Sequence, residues 1–252
     1  MKARIMETSL NLRIERGKKK EQYKLSKEVA EKQLSFTGTD IYTNVEFMDC
    51  QNAEYLNEFK RRGYNKFCSL DKNGRGILCE VSSKYTVRTI AAMNEPHFLH
   101  LRIEQNGEYI DLITVRVLVA GSDAKDYKDR RKQWNKVVDY IASLPDISHV
   151  VLTGDFNHGV IGDIANYRNK PREYFNFQII KNDLKAKKIA LQAIDGYSYK
   201  EYMKPDHIAV GGKVHIAFAE YNDAFGGWEN KIGTPDHKCL RSIISLNREV
   251  IL

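Results

Sequence analysis

Short β-strand patterns recur along almost the whole of this 252-residue chain, and they restrict its fold more than any other feature. Ten segments have the length and the apolar or alternating composition of strands, at 3–12, 39–47, 76–82, 85–93, 97–105, 111–120, 149–154, 206–210, 214–221 and 238–246. Four segments have apolar residues at helical spacing, at 18–34, 53–63, 127–144 and 171–189. One doubly wound sheet does not need so many strands. We therefore predict an α/β fold with two mixed β-sheets packed face to face and helices on the outside.

Turn and helix-end residues support several of these boundaries. The sequence "NGE" at 106–108 is typical of a hairpin turn between two strands. Gly63 follows the second helical pattern, where glycine commonly ends a helix. Pro171 opens the fourth pattern, and proline is favoured in a first turn because its missing N–H has no helical acceptor there. We therefore expect that helix to begin at Pro171.

The segment "VVLTGDFN" at 150–157 ends an apolar strand on a carboxylate and a carboxamide two residues apart. Other apolar runs end in the same way. Because a polar group at the end of a buried strand is costly unless something satisfies it, such residues are candidates for a ligand site. The strand-end polar residues are Asn11, Glu46, Asp155, Asn157, Asp206, Asp236 and His237.

Each of these residues alone has an ordinary structural explanation. Asp155 could cap a turn, Asn157 could adopt the left-handed conformation, and Asp236 could simply follow Pro235 in a loop. Taken together, two carboxamides, four carboxylates and one imidazole are the groups that a hard cation and an acid/base pair require. The set therefore favours a catalytic site over seven unrelated loop residues.

The composition indicates one soluble domain spanning residues 1–252. No Pro/Gly/Ser-rich linker divides the chain, and no stretch of 18 apolar residues could span a membrane. The N-terminal segment lacks the apolar core of a signal peptide. The four cysteines have neither the spacing of a zinc site nor that of a disulfide framework. We therefore expect a cytoplasmic protein with reduced thiols, no membrane insertion and no obligate protein partner.

The charge balance favours a polyanionic partner. Forty Lys and Arg against 33 Asp and Glu give a net charge of +7, and the pI is about 9.0. The basic residues cluster at 16–20, 125–136 and 185–188, where they could offset phosphate charge. For any single run, a solvated helix face is the better explanation.

In order along the chain, the motifs "SLNLR" at 9–13, "DIYTNVEF" at 40–47, "GDFN" at 154–157, "KPDHIAV" at 204–210 and "TPDHKCL" at 234–240 resemble those of the endonuclease/exonuclease/phosphatase superfamily. Arg130 and Gln133 match the Arg/Gln motif of the family's helix. The resemblance covers nearly the whole chain. It implies a four-layered α/β sandwich, which agrees with the number of strands.

The resemblance also implies roles for the strand-end residues in phosphodiester hydrolysis. Asp155 would orient or deprotonate the attacking water, and Asn157 would donate to a phosphoryl oxygen. His237 would face the phosphate as a cation, with Asp206 fixing its tautomer and raising its pKa. The metal site, for Mg²⁺ or Mn²⁺, would consist of Glu46, Asp236 and Asn11.

Two further residues are candidates for phosphate contacts. One is Tyr167, for which a packed loop tyrosine is an equally good explanation. The other lies where several branches of the family carry His or Tyr, on the strand before the Arg/Gln helix. This chain reads "ITVRVLVA" there, so Arg116 or Leu118 fills the position, and only Arg116 could contact phosphate.

The leading functional hypothesis is an intracellular, metal-dependent nuclease acting on DNA. Basic charge favours it, and so do three aromatic residues near basic ones, Tyr127, Trp134 and Trp228, which could stack on bases. For Trp134 ordinary packing is the better explanation. The alternatives are a phosphatase or phosphodiesterase acting on phosphoinositides, lipid headgroups or small nucleotides, and a catalytically inactive binding protein. The sequence leaves open DNA against RNA and endo- against exonucleolytic cleavage.

Overall fold

The structure, a computed structural model, describes residues 1–12, 25–49, 52–161, 168, 170–226 and 232–246. Within these residues the chain forms twelve strands and four α-helices. The strands are β1 (Lys2–Ser9), β2 (Ile41–Met48), β3 (Tyr64–Leu70), β4 (Arg75–Ser82), β5 (Thr86–Asn94), β6 (His97–Gln105), β7 (Glu108–Arg116), β8 (Val150–Asp155), β9 (Ala190–Leu191), β10 (Asp206–Val210), β11 (Val214–Asn222) and β12 (Cys239–Leu246). The helices are α1 (Lys27–Leu34), α2 (Ala53–Arg61), α3 (Ala124–Ser143) and α4 (Phe177–Ala186).

The strands form two six-stranded mixed sheets, as predicted. The first sheet has the order β11-β12-β1-β2-β4-β3, and the second has the order β5-β6-β7-β8-β10-β9. In each sheet one central pair is parallel, β1 with β2 and β7 with β8, and the neighbouring pairs are antiparallel. In each sheet, the carboxyl ends of the two parallel central strands therefore lie side by side, so the residues that follow them lie close together.

The two sheets pack face to face over a shared apolar core. Alternate residues of the strands face this core, including Ile5 of the first sheet and Leu99, Leu112, Val151 and Ile208 of the second. Burying each such side chain stabilises the fold by roughly 1.5–3 kcal/mol relative to leaving it in water. The period-two alternation of the strand sequences therefore determines which residues lie between the sheets.

The helices cover the outer faces and complete the four layers that the resemblance implies. Helices α1 and α2 place Val29, Tyr55 and Phe59 against the outer face of the first sheet. Helices α3 and α4 place Trp134 and Ile180 against the outer face of the second. Each outer core buries the apolar stripe of an amphipathic helix against a sheet.

Several elements and boundaries differ from those predicted. The segment predicted as one helix from Pro171 contains a 3₁₀ turn at Pro171–Glu173 and then α4, because the Asn176 side chain accepts a hydrogen bond from the Ile179 N–H at 3.1 Å and starts a new helix. Strand β3 was not predicted, since it is an edge strand and its residues are mostly exposed or half-buried. The strand predicted at 111–120 ends at Arg116.

Two further observations concern membrane-spanning helices and cysteines in the described residues. No helix within these residues is both long enough and apolar enough to cross a membrane. Of the cysteines, Cys79 and Cys239 are buried free thiols and Cys68 is an exposed one. Burial raises the pKa of Cys79 and of Cys239 to about 12, so both are protonated packing residues at neutral pH.

Candidate active site

Four polar residues lie side by side across one end of the second sheet. The strand registers pair His97 with Arg116, Arg116 with Asp155, and Asp155 with Asp206. Residues paired in this way project from the same face of a sheet, and this face is the one that packs on the first sheet. The row His97, Arg116, Asp155 and Asp206 therefore closes the edge of the core between the two sheets.

The first sheet supplies the opposite wall through two residues with left-handed backbone conformations. Glu46 has φ 56° and lies where the register of β2 against β4 shifts between Asn44 and Phe47. Asn11, just after β1, has φ 51°. A left-handed conformation costs roughly 1–2 kcal/mol for a residue such as Glu, which lacks the local hydrogen bonds that favour Asn. The bulge turns the Glu46 side chain out of the strand's alternation and towards the second sheet.

The "GDFN" motif holds its carboxylate by local hydrogen bonds. The Asn157 backbone N–H donates to Asp155 Oδ1 at 2.9 Å, and Asn157 Nδ2 donates to Asp155 Oδ2 and to the Val117 carbonyl, both at 2.7 Å. Both amide hydrogens of Asn157 are thus used within the protein. In this geometry Asn157 orients Asp155, and a contact from Asn157 to a phosphoryl oxygen requires one of these bonds to exchange.

Gly154 makes the motif possible because neighbouring backbone occupies the space of a side chain. Its φ is +130°, and a Cβ atom there would lie 2.1 Å from the Val115 carbonyl oxygen. No other residue fits between β8 and β7 at this point. The close approach of the two strands sets Asp155 beside Arg116.

Asp206 and His237 form a buried ion pair. His237 Nδ1 lies 2.8 Å from Asp206 Oδ2, and Asp206 is fully buried. Burial alone would lower the pKa of His237, but the negative charges of Asp206 and Asp155 outweigh it and raise that pKa well above its ordinary value. Both charges therefore favour the protonated imidazole, whose Nε2 lies 3.9 Å from Asp236 Oδ1.

Asp155 lies close to this pair and is hard to ionise. Oxygen and nitrogen atoms of Asp155, Asp206 and His237 lie within 4.8 Å of one another. Burial and the negative charge of Asp206 raise the pKa of Asp155 to about 7, against the lowering effects of His237 and Arg116. A carboxylate with a pKa near neutrality is suited to act as a general base.

Arg116 links the two walls of the site. Its Nη2 donates a hydrogen bond to Glu46 Oε1, and its Nε lies 3.8 Å from Asp155 Oδ2. Ser9 Oγ donates to the other Glu46 oxygen at 3.3 Å. Of the two candidates on this strand, Arg116 lines the cleft of the site, whereas Leu118 lines a neighbouring cavity.

Asn11 and Asp236 complete the metal-site residues that the resemblance implies. Asn11 Nδ2 donates to the Thr234 carbonyl at 3.2 Å, and the Asn11 carbonyl accepts from the Gly233 N–H at 3.2 Å. These bonds hold the loop before β12 against the end of β1. Asp236 lines the cleft, with Oδ1 3.9 Å from His237 Nε2.

The Arg/Gln helix motif anchors loops of the site. Arg130 Nη1 donates to the Asn157 carbonyl and Nη2 to the Gly121 carbonyl, both at 2.7 Å. Gln133 pairs with both backbone groups of Leu118, at 2.8 Å and 3.2 Å. The two side chains thus fix the loop after β7 and the residue after "GDF". This geometry agrees with an internal anchoring role for Arg130.

The cleft has a volume of about 410 Å³ and is bordered by Glu46, Arg116, Asp155, Asp236 and His237. Three further cleft residues were not predicted from the sequence. Tyr199 packs its ring 4.5 Å from that of His237, Tyr202 is 50% exposed, and Arg172 lines the same cleft. The tyrosine-rich run "YSYKEY" at 197–202 was the available signal, because exposed aromatic residues beside a catalytic strand often bind ligand.

Two of the aromatic residues proposed from the sequence to contact the substrate, Trp134 and Tyr127, are placed differently by the structure. Trp134 is fully buried, and its Nε1 donates to Asp183 at 3.0 Å, so it cannot stack on a base. Tyr127 is largely buried and lies under the Arg130 guanidinium, but it lines the cleft. Tyr167 and Trp228 lie outside the described residues.

The oxygen donors of the site fit a hard divalent cation. Glu46, Asp155 and Asp236 border the same cleft, and Asp206 lies behind it. Asp206 Oδ1 is buried and has no hydrogen-bond partner among the described residues. Carboxylate and amide oxygens are the ligands that Mg²⁺ and Mn²⁺ prefer. An acidic site suitable for such an ion is therefore present.

A buried carboxyl group lies beneath the site. Glu7 is on β1, two residues after Ile5, and thus faces the core between the sheets. It is 1% exposed, and neither of its carboxyl oxygens has a hydrogen-bond partner among the described residues. Burial, followed by the negative charge of Asp206, raises the pKa of Glu7 well above its ordinary value of 4.5. At pH values above the pKa that Glu7 has in the unfolded chain, the buried Glu7 therefore destabilises the folded state.

We expect Glu7→Gln to stabilise the protein at neutral pH and to have no such effect near pH 4 or below. Because the folded pKa is raised, the wild type loses stability as pH rises above about 4.5, at up to about 1.4 kcal/mol per pH unit, until the folded pKa is passed. Each kcal/mol raises Tm by about 2–4 °C in a protein of this size. Thermal unfolding across pH measures the difference, with Glu54→Gln on the exposed face of α2 as control. A Tm difference independent of pH would contradict the buried-acid explanation.

No protein-family model and no curated protein matches the chain in sequence. Solved structures match it in fold. An endonuclease/exonuclease/phosphatase from Bacteroides vulgatus has 13% identity and a TM-score of 0.64 over 98% of this chain and 100% of that one. An AP endonuclease from Archaeoglobus fulgidus has 14% identity and a TM-score of 0.64 over the same shares. TDP2 from D. rerio, complexed with a single-strand DNA product, has 16% identity and a TM-score of 0.60 over 97% of this chain and 99% of that one.

These likenesses extend over nearly the full length of this chain and of the matched chains. At identities of 13–16% they establish a shared architecture, while the site residues are assigned from this chain's own geometry. The two mixed sheets and the outer helices give this chain the fold seen in solved structures of the endonuclease/exonuclease/phosphatase superfamily.

Proposed function

We propose that the protein is a metal-dependent phosphodiester hydrolase that acts on nucleic acid, with DNA as the expected substrate. One observation carries this proposal: side-chain atoms of Asp155, Asp206 and His237 converge within 4.8 Å of one another beside an open cleft. Hydrolysis of a phosphodiester needs an activated water and positive charge facing the phosphoryl oxygens. We assign the first function to Asp155 and the second to His237.

Asp155 is the residue that we assign to water activation. Its two oxygens are held by Asn157, and its raised pKa makes it a better proton acceptor than an exposed carboxylate would be. His237 is assigned to the phosphate, because Asp206 holds Nδ1 and the Nε2 side faces the cleft residues. As negative charge grows on the phosphoryl group, an already protonated imidazole stabilises it without a proton transfer.

Glu46, Asp236 and Asn11 are the residues that we assign to holding Mg²⁺ or Mn²⁺. When bound there, the ion would supply Lewis acidity and help to orient the phosphate. The loop that carries Asp236 is fixed to Asn11 by two hydrogen bonds, so two of these residues are positioned as a unit. Arg116 remains the candidate for a phosphate contact from the second sheet.

A nucleic acid fits the surroundings of the cleft better than a small phosphomonoester does. Tyr199 and Tyr202 border it, and aromatic rings beside a phosphate site can stack on bases. Arg172 adds positive charge at the same rim, and the chain has a net charge of +7. Among proteins of this fold, TDP2 has been crystallised with a single-strand DNA product, which supports the same substrate class.

The basic residues of helix α3 contribute less to this surface than their number indicates. Arg131 pairs with Asp183, which also accepts from Trp134, and Lys132 pairs with Asp129 at 3.0 Å. Arg130 anchors loops. For Arg131 and Lys132, intramolecular pairing is therefore the better explanation, and Arg172 is the sharper probe of nucleic-acid binding.

The function is tested by incubating the purified protein with plasmid, linear, abasic and single-stranded DNA, RNA, a phosphoinositide and sphingomyelin, with Mg²⁺, Mn²⁺ or EDTA. We expect cleavage of nucleic acid that requires the metal, and little release from the lipids. Efficient hydrolysis of a lipid headgroup with no cleavage of nucleic acid would replace this proposal by the phosphatase alternative. Full activity in excess EDTA would remove the metal from the proposal.

We also expect nucleic-acid binding to weaken log-linearly with salt, because bound Lys and Arg displace condensed counterions. Binding of the Asp155→Asn protein to a labelled single strand, measured by fluorescence anisotropy at several salt concentrations, gives the slope. Adding Arg172→Gln should reduce the slope by about 1, since Arg172 borders the cleft. Adding Lys132→Gln should leave it unchanged, because Lys132 already pairs with Asp129. Equal effects of both substitutions would contradict a nucleic-acid path through this cleft.

A further inference from the structure

Arg116 lies between two carboxylates of the acidic site, those of Glu46 and Asp155. It ends β7 in the row across the second sheet, and its side chain is 11% exposed. Its Nη2 donates to Glu46, while its Nε lies 3.8 Å from Asp155 Oδ2 and has no hydrogen-bond acceptor among the described residues. The guanidinium is thus bound to one wall and only partly satisfied on the other.

The partner of this guanidinium is the carboxylate that the proposed function assigns to the metal. Glu46 Oε1 accepts from Arg116 and Oε2 accepts from Ser9. A divalent cation and a guanidinium prefer the same carboxylate oxygens, and two positive charges a few Å apart repel one another strongly in a partly buried site. The two cations cannot both keep their best geometry on Glu46.

We propose, on the basis of the proposed function, that Arg116 and the divalent cation compete for Glu46, and that metal binding releases the Arg116 guanidinium to hold the substrate phosphate. Without metal, Arg116 is a counterion for the Glu46 carboxylate, whose side chain is only 17% exposed. With metal, the freed fork of donors is a phosphate-binding group on the cleft wall next to Asp155.

Two consequences follow from this competition. Arg116 weakens metal binding, because part of the binding free energy goes into breaking its contact with Glu46. It also couples metal to phosphate, since each ligand favours the same released position of Arg116, and the coupling is reciprocal at equilibrium. Arg116 is therefore both a determinant of metal affinity and a phosphate-binding residue.

The first test is calorimetric titration of Mn²⁺ into the wild type, Arg116→Gln and Arg172→Gln. Arg172 is the matched control. Both arginines add a positive charge to the same cleft, but the hydrogen bond to Glu46 that the proposal invokes is donated by Arg116. We expect Arg116→Gln to bind Mn²⁺ about tenfold more tightly than the wild type, and Arg172→Gln to stay within about threefold of it. Equal tightening in both variants would reduce the effect to long-range charge and overturn the proposal. Unchanged or weaker binding by Arg116→Gln would also overturn it.

The second test measures binding of thymidine monophosphate with and without Mn²⁺. The ion should tighten binding to the wild type, and the tightening should be at least about threefold smaller in Arg116→Gln. A factor as large as that of the wild type would overturn the release of Arg116. Far-UV circular dichroism and Tm establish that the variants are folded, and Arg116→Lys gives a second, charge-conserving variant. Its Mn²⁺ affinity should stay nearer to that of the wild type than to that of Arg116→Gln, and the opposite order would count against the proposal.

These measurements do not depend on catalysis. If nucleic acid is not cleaved but the Mn²⁺ affinities follow the expected order, the competition stands and the proposed substrate fails. If nucleic acid is cleaved but the affinities of the wild type and Arg116→Gln agree, the proposed function stands and the competition is overturned. Absence of Mn²⁺ binding in both proteins also overturns the competition.

Discussion

Replacing Asp155 by asparagine is expected to reduce kcat on a nucleic-acid substrate by about 10³-fold, within the range of roughly 10²–10⁴ that general base catalysis contributes. The substitution conserves size but removes the proton acceptor. It also places an NH₂ group against one of the two Asn157 donors, since both carboxylate oxygens accept from Asn157. We therefore expect a loss in kcat with a much smaller change in KM. Single-turnover kinetics measure it, and activity within tenfold of the wild type would exclude Asp155 as the base.

The pH dependence provides an independent check on the same residue. Burial and Asp206 raise the pKa of Asp155 to about 7, and only the deprotonated form can accept a proton. The sign follows directly: kcat/KM rises with pH below the midpoint and levels off above it. A bound cation favours the carboxylate, so the midpoint with metal lies at or below about 7. A rate that falls as pH rises from about 5 to 7 would contradict this assignment.

Asp206 and His237 are expected to act as one unit. Asp206→Asn and His237→Ala should each lower kcat by about 10²–10³-fold, and the double variant should be scarcely slower than either single variant. The physical reason is the 2.8 Å contact between them: without Asp206 the buried imidazole loses the main charge that keeps it protonated, and without His237 the carboxylate has no cation to hold. Each single change thus removes the function of both residues.

Tyr221 offers a matched control for this double-mutant cycle. Its hydroxyl donates to the backbone carbonyl of Asp206 at 2.6 Å and leaves the carboxylate and imidazole in place. Tyr221→Phe should therefore lower kcat less than about tenfold. If the loss of activity in the double variant equals the product of the two single losses, the residues work independently. Asp206 would then not be the group that keeps His237 protonated.

Much of the fold and of the site could be predicted from the sequence, because both depend on local patterns. Period-two alternation placed Ile5, Leu99 and Val151 in strands, and the helical spacing in α3 placed Trp134 on a sheet rather than on a ligand. The catalytic candidates were visible because each polar residue lies in or beside an apolar run. The edge strand β3 was missed because its exposed residues show no apolar alternation.

The sequence could not predict which groups meet across the site. Arg116 and Glu46 are 70 residues apart, and their contact depends on the register of β7 with β8, on the bulge in β2 and on the packing of the two sheets. Glu7 reads as one polar residue in a strand until the structure shows that it faces the core beneath Asp206. The tyrosine rim likewise depends on how the chain from 197 to 205 folds back over His237.

By itself, the sequence determined the strand and helix types, the two-sheet architecture and the polar residues that lie in or beside apolar runs. Side-chain periodicity and the polar residues that border apolar runs are local features of the sequence, so neighbouring residues alone specify them. Only the tertiary structure decided the pKa of Asp155, the pairing of Arg116 with Glu46 and the unsatisfied burial of Glu7. These depend on distances and on exclusion of water, which arise when residues far apart in the chain are brought together between the sheets.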